Sequence, residues 1–342
     1  MMHLLALLLS ACLLAANTPA GEADVVGLSF LSVPVPERRG TTDVTLWYPA
    51  TAGGTPVLIG DSPLFKGEAA YQGAPAAAGS RPLILLSHGG LKSGPFVGAW
   101  MASRLASKGF VVAMMRQPDP QTMTSEESLR EIWLRPADLS AALSAIETDG
   151  TLPAEIDRNR IGVLGFLVGG TSALSIMGGK LDPERFARSC DAGGTGIDCR
   201  EFASAGIDLH SIGRQKLTRS HLDPRVKAAV VIDPEFATSF APESLARMSN
   251  PVRLINLGTA QTVWPGLSAS GLKDAIPGAR YDLLTGATQY SAFSECKPAG
   301  AAILREEGEE PLCDDPEGTN RAAVHDRLAE MVAAALRADL SL

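Results

Sequence analysis

Arg160-Ile161-Gly162-Val163-Leu164-Gly165-Phe166-Leu167-Val168-Gly169-Gly170-Thr171 is the stretch on which the fold turns. Its first half is a short apolar run without alternation, the pattern of a strand buried on both faces of a parallel sheet. A helical pattern takes over from Thr171 to Met177. A strand passing directly into a helix turns sharply, and Gly165 and Gly169 leave space where a side chain would meet backbone.

Working outward, residues 82–86 form a second unbroken apolar run, ended by Ser87-His88-Gly89-Gly90. Val97, Met101 and Leu105 then have helical spacing, closed by Gly109, and residues 110–114 read as the next strand. Pro136 is placed at the first turn of a helix that presents Leu139, Leu143 and Ile146 on one face. Strands are expected at 226–232, 252–257 and 280–284, and a last helix aligns Val324, Leu328, Val332 and Leu336. Upstream, Val44-Thr45-Leu46-Trp47-Tyr48 reads as a strand stopping at Pro49. Residues 50–80, rich in Gly, Ala and Pro, read as a loop or excursion. This alternation predicts an α/β protein with a mostly parallel, doubly wound sheet and one core. Residues 178–224 interrupt it and are read as a small inserted cap over the sheet's carboxyl edge.

The chain has 342 residues, 45% hydrophobic and 20% charged, an ordinary globular composition. Its formal net charge of -8 disfavours nucleic acid and anionic membranes as partners. Residues 4–16 are almost unbroken Leu and Ala, too short to span a bilayer and suited to the core of a signal peptide. Thr18-Pro19-Ala20 supplies small residues for cleavage before Gly21, although Met1-Met2-His3 has no Lys or Arg. The domain plan is therefore a signal peptide, 1–20, and a single domain, 21–342, in a periplasmic or secreted protein. Leu9-Ser10-Ala11-Cys12 also matches a lipobox, which leaves a lipid anchor at Cys12 as the alternative; the apolar run continuing through 13–16 speaks against it.

Of five cysteines, Cys12 falls in the leader and four remain. Close sequence pairing suggests disulfides Cys190–Cys199 and Cys296–Cys313, one of three connectivities. Both pairs lie in Gly-, Asp- and Pro-rich stretches, where a crosslink restrains loops. No CxxC and no adjacent histidine completes a zinc set, and no metal or cofactor is expected.

Gly165-Phe166-Leu167-Val168-Gly169, between strand and helix, resembles the nucleophile elbow Gly-x-Ser-x-Gly of the α/β hydrolases. Leu46-Trp47-Tyr48-Pro49-Ala50, Leu86-Ser87-His88-Gly89-Gly90, Arg135-Pro136-Ala137-Asp138-Leu139 and Asp157-Arg158-Asn159-Arg160-Ile161-Gly162 extend the likeness. Together they resemble the dienelactone-hydrolase-like branch, close to bacterial relatives of platelet-activating-factor acetylhydrolase, from about Val25 to the C-terminus. The resemblance implies an α/β-hydrolase fold and places three catalytic positions. The nucleophile position holds Leu167, the acid turn Gly258-Thr259-Ala260-Gln261 holds Gln261, and the base turn Gly286-Ala287-Thr288-Gln289 holds Gln289. Leucine has no attacking atom, and a glutamine amide neither takes the proton nor orients a base. The resemblance also implies an oxyanion niche from the backbone of His88, Gly89, Gly90 and Val168.

The implied function is an exported, catalytically inactive homologue of such esterases that keeps a pocket for a small ester- or lipid-like ligand. The alternative is an active ester or lipid hydrolase with non-standard residues, for which Asp233, Glu235 and His88 are the candidates. Each has a blander reading. Asp233 and Glu235 read as a solvated strand-end pair, and His88 as a loop anchor. Ser172 and Ser175 read as helical serines bonded back to the chain. His210 and His221 read as surface residues, the run 306–310 as a solvated acidic loop, and His325 as a residue of the final helix.

Overall fold

The computed structural model describes residues 25–91, 93–119, 121–191 and 199–342. The expected leader and Cys12 lie outside these residues. Among the described residues ten strands form one sheet: β1 (Val25–Val35), β2 (Gly40–Ala50), β3 (Thr55–Ile59), β4 (Glu68–Gln72), β5 (Arg81–Ser87), β6 (Val111–Met115), β7 (Ile156–Phe166), β8 (Ala228–Ile232), β9 (Val252–Leu257) and β10 (Arg280–Leu284). The described α-helices are α1 (Ala99–Ser107), α2 (Ser125–Thr148), α3 (Val168–Ile176), α4 (Pro183–Arg188), α5 (Cys199–Ser204), α6 (Arg214–Thr218), α7 (Pro242–Leu245), α8 (Ser270–Ala275), α9 (Gly300–Glu307) and α10 (Arg321–Asp339).

The sheet order is β10-β9-β8-β7-β5-β6-β2-β1-β4-β3. From β10 to β6 all pairings are parallel, and β2 then runs antiparallel to β6. The chain leaves β5 for β6 on one side and later lays β7, β8, β9 and β10 on the other. The reversal lies between β5 and β7, where open α/β sheets form a crevice at their carboxyl ends.

The unalternating strand runs have their cause in the two layers. Leu83, Leu85, Ile161 and Val163 face one core with α2, α3 and α8. Ile84, Leu86, Leu164 and Phe166 face a second core with α1 and α10. Gly162 lets α10 approach closely: a β-carbon there would lie 3.1 Å from Leu336.

Three elements depart from the sequence reading. Residues 50–80 are not a loop throughout, because β3 and β4 add an antiparallel hairpin to the sheet edge. Its strands are short, and only Ala70 of β4 is buried, so the apolar signal is weak. Pro136 lies inside α2 and not at its first turn. The helix starts at a capping box in which Thr124 and Glu127 satisfy each other's backbone, so it is already established before the proline. Residues 306 and 307 of the acidic run belong to α9. In addition, α3 begins at Val168, three residues before the periodic pattern.

Both disulfides are formed, Cys190–Cys199 with Cα atoms 5.3 Å apart and Cys296–Cys313 with 5.7 Å. The insertion packs Phe186 and Leu217 into the α2–α3 core. It is tied to the chain after β8 by Asp182 N–H to Ser239 O and by Ala241 N–H to Lys180 O, each 2.8 Å. Arg219 reaches Glu37 at the β1–β2 turn at 2.8 Å. No described helix is long and apolar enough to cross a membrane.

Candidate functional site

The elbow at the end of β7 keeps its strain. Leu167 has φ 54° and ψ −123°, a region that costs a side-chain-bearing residue roughly 1–3 kcal/mol. Its N–H donates to Ile232 O at 3.1 Å, and its carbonyl accepts from Gly170 at 2.9 Å and Glu235 at 3.2 Å. The flanking glycines are sterically required: a β-carbon on Gly165 would sit 2.1 Å from Gly169 O, and one on Gly169 would sit 2.0 Å from Ser87 O. The tight turn thus presses β7 against the end of β5.

Leu167 is 1% exposed and packs with Val97, Leu267 and Phe293, with Phe65, Trp264 and Leu312 partly buried around them. Leu267 follows β9 and Phe293 follows β10. The loops carrying Gln261 and Gln289 therefore both reach the elbow. The two glutamines differ: Gln261 is exposed, whereas Gln289 is buried at the start of the 3₁₀ turn Gln289–Ala292.

Val168 opens α3, so its N–H has no intrahelical acceptor. Across the crevice, Gly89 adopts φ 87°, and a β-carbon there would strike Ser93 Oγ at 2.3 Å. The carbonyls of Gly89 and Gly90 accept from Arg135 Nη1 and Nη2 at 2.9 and 2.8 Å. Arg135 also donates to Glu131 at 3.1 Å, and Arg38 bonds both oxygens of Glu131 at 2.6 and 2.9 Å and Asp138 at 2.6 Å. Burial pushes Glu131 up, but the bonds and charges of Arg38 and Arg135 outweigh it and hold the carboxylate below its ordinary range. Asp138 goes the other way, raised to about 6 by burial despite Arg38. This buried ionic chain fixes the Gly89–Gly90 loop. The Arg135-to-Leu139 motif was visible in the sequence, but Arg38 and Glu131 carried no signal there, because long-range partners leave no spacing pattern.

His88 is a loop anchor. Its Nε2 bonds Ala292 O at 2.8 Å, and its ring stacks on Phe166 at 4.4 Å. Burial lowers its pKa to about 4, so it is neutral. His325, on α10, does the same job from below: Nε2 reaches Ser291 O at 2.9 Å and Phe293 O at 3.1 Å, and burial lowers its pKa to about 3. Both histidines hold the segment that bears Gln289.

Asp233 and Glu235 are not solvated: both are buried, in the chain that folds back against α3 after β8. Asp233 takes φ 44°, and its Oδ1 accepts from Asn256 Nδ2 at 2.6 Å and Leu257 N at 3.0 Å. Its Oδ2 has no partner among the described residues. Burial raises its pKa to about 7 against those two hydrogen bonds. Asn256 extends the network to Leu267 O at 2.7 Å, Ala269 N at 2.8 Å and Tyr281 Oη at 3.1 Å. Asp233 and Asn256 thereby fix the loop that covers Leu167.

Ser172 and Ser175 bond back to Val168 O and Thr171 O, each at 2.9 Å. His210 is exposed beside Asp191 at 3.1 Å. His221 is half-buried instead of exposed, and burial lowers its pKa to about 4. Among the described residues no group of His, Cys, Asp and Glu could hold a metal ion.

The overall fold has counterparts among solved structures. A ferulic acid esterase from Streptomyces cinnamoneus superposes with a TM-score of 0.60 at 19% identity, over 95% of this chain and 92% of that one. The fold is that of the α/β hydrolases. A dienelactone hydrolase from Anabaena variabilis ATCC 29413 matches at 14% identity and a TM-score of 0.43, over 82% of this chain and 94% of that one. No family model matches the sequence, and no curated protein does. In this fold Leu167 occupies the strained turn between β7 and α3.

Proposed function

We propose that this protein is an exported α/β-hydrolase-fold protein that does not hydrolyse esters by a serine mechanism and instead binds a small ester- or lipid-like molecule. One observation carries the reading: Leu167 occupies the strained elbow with φ 54° and is 1% exposed beneath Val97, Leu267 and Phe293. The reactive position is filled with hydrocarbon, and the glycines that shape the turn remain. Gln261 and Gln289 offer no titrating group to activate a nucleophile. The partly buried Phe65, Trp264 and Leu312 pack against this cluster, and apolar surface of this kind suits an acyl or aryl group. The two disulfides and the leader pattern of residues 1–20 support export.

The competing reading is a hydrolase using Asp233, whose Oδ2 lacks a partner among the described residues at the carboxyl end of β8. Both are tested by hydrolysis of p-nitrophenyl acetate, p-nitrophenyl butyrate and ethyl ferulate. The parent is assayed beside Leu167→Ser/Gln261→Asp/Gln289→His, and beside Leu167→Ser/Gln289→His, which leaves Asp233 as the candidate acid. A silent parent with either revertant active supports the proposal. Turnover by the parent that is lost in Asp233→Asn establishes the competing reading.

A further inference from the structure

We infer that a cleft at the sheet's carboxyl edge, between the β1–β2 turn, the β6–α2 connection and α6, binds a small oxyanion, a carboxylate or a phosphate ester, through Arg39 and Lys216. No part of this depends on whether Leu167 abolishes hydrolysis. The cleft has a volume of about 1250 Å³ and includes Arg38, Arg39, Trp133, Lys216, Arg219 and His221 in its walls, a size that accommodates a small organic ligand.

Most of the charges in its walls are already matched. Arg38 is held by Glu131 and Asp138, Arg219 by Glu37 at 2.8 Å, and Arg130 by Glu126 at 3.2 Å. Glu127 is spent on the N-cap of α2, accepting from the Thr124 N–H at 2.9 Å. Two cations are left over, Arg39 and Lys216, neither with a carboxylate partner among the described residues.

Arg39 is fixed through its backbone and Lys216 through its side chain. Arg39 closes the turn after β1 with φ 58°, its N–H bonded to Pro36 O at 3.1 Å. The Lys216 ammonium lies over the Trp133 ring, 5.0 Å from its centre. His221 adds a ring nitrogen, Nε2, that is shielded from solvent and unpartnered among the described residues. On a chain of net charge -8, uncompensated cations in one concavity concentrate anions against the background field. Arginine's fork matches two oxygens of a carboxylate or phosphate, and lysine supplies a point charge beside it.

The test is isothermal titration calorimetry of the mature protein with citrate and, separately, with inorganic phosphate, at low and at moderate ionic strength. The expected result is salt-sensitive binding with a Kd on the order of 1 mM or tighter, accompanied by a change in Trp133 fluorescence. Arg39→Ala/Lys216→Ala should weaken it by about tenfold or more. Both side chains are exposed, so this variant should keep the parent's urea midpoint, which separates lost binding from lost folding. Citrate alone identifies a carboxylate ligand, phosphate alone a phosphate ester, and both the shared oxyanion chemistry. Absence of heat with either anion, or equal binding by the double variant, overturns the inference.

Discussion

Replacing Leu167 separates backbone strain from packing. Truncation to Ala removes buried hydrocarbon from the cluster with Val97, Leu267 and Phe293 and costs about 2–5 kcal/mol. The β-carbon stays, so the positive-φ strain stays. Truncation to Gly removes one carbon more but releases roughly 1–3 kcal/mol of strain. Against that release stands the greater freedom of glycine in the unfolded chain, about 0.5–1 kcal/mol. With about 0.8 kcal/mol for the extra buried carbon, the balance favours Gly over Ala by about 0.5 kcal/mol, the reverse of the order at an ordinary buried site. In urea titrations at fixed pH, Leu167→Gly should unfold at a higher midpoint than Leu167→Ala, with equal slopes. Thermal melts should separate them by about 1 °C in the same direction. An alanine variant as stable as the glycine variant would show that the elbow relaxes without cost and that the inherited strain is illusory.

Four other outcomes follow from the buried polar groups and crosslinks. The folded pKa of Asp233, about 7, lies above its unfolded value, so its stabilisation is complete below about pH 4 and is lost as pH rises through 7; Asp233→Asn should gain on the parent by about 2–3 kcal/mol between pH 5 and 8 in urea midpoints. His88 and His325 have lowered folded values of about 4 and about 3, so their contribution is complete above about pH 6.5 and is lost as pH falls toward those values; His325→Gln should flatten the parent's loss of stability between pH 6.5 and 4. Glu131→Gln leaves Arg135 and Arg38 short of a buried partner and should cost about 3–5 kcal/mol, read by chemical denaturation. Replacing both Cys296 and Cys313 with Ala opens a crosslink of sequence separation 17 and should cost about 3 kcal/mol, with a larger loss in the parent after reduction, which also opens Cys190–Cys199.

The parallel strands were legible because burial on both faces leaves the same mark anywhere in a chain, an apolar run without alternation. Val252–Leu257 falls at its expected bounds for that reason, whereas Arg280–Leu284 is the sheet's edge strand, with only Leu284 buried. The β3–β4 hairpin was not legible, since an edge hairpin buries little and Pro, Gly and Ala dominate its surroundings. The elbow was legible from its glycines, whose spacing is a steric requirement of the turn. The burial of Asp233 was not, because a carboxylate at a strand end looks solvated until the chain after β8 folds back over it. Pro136 misled for a related reason: a proline marks a helix start only when no stronger cap precedes it, and Thr124 with Glu127 is stronger.

The position of α10 in the chain has a consequence for the order in which the molecule is completed. Its Val332 and Leu336 are buried with Ile84 and Leu164 of the central strands, yet they come after every strand of the sheet in the chain. Until those residues are available, one side of β5 and β7 has α1 but not α10 to shield it from water. The second face of the central strands is therefore closed by contacts of long sequence separation, and such contacts form slowly because the entropy of closing the intervening chain must be met first.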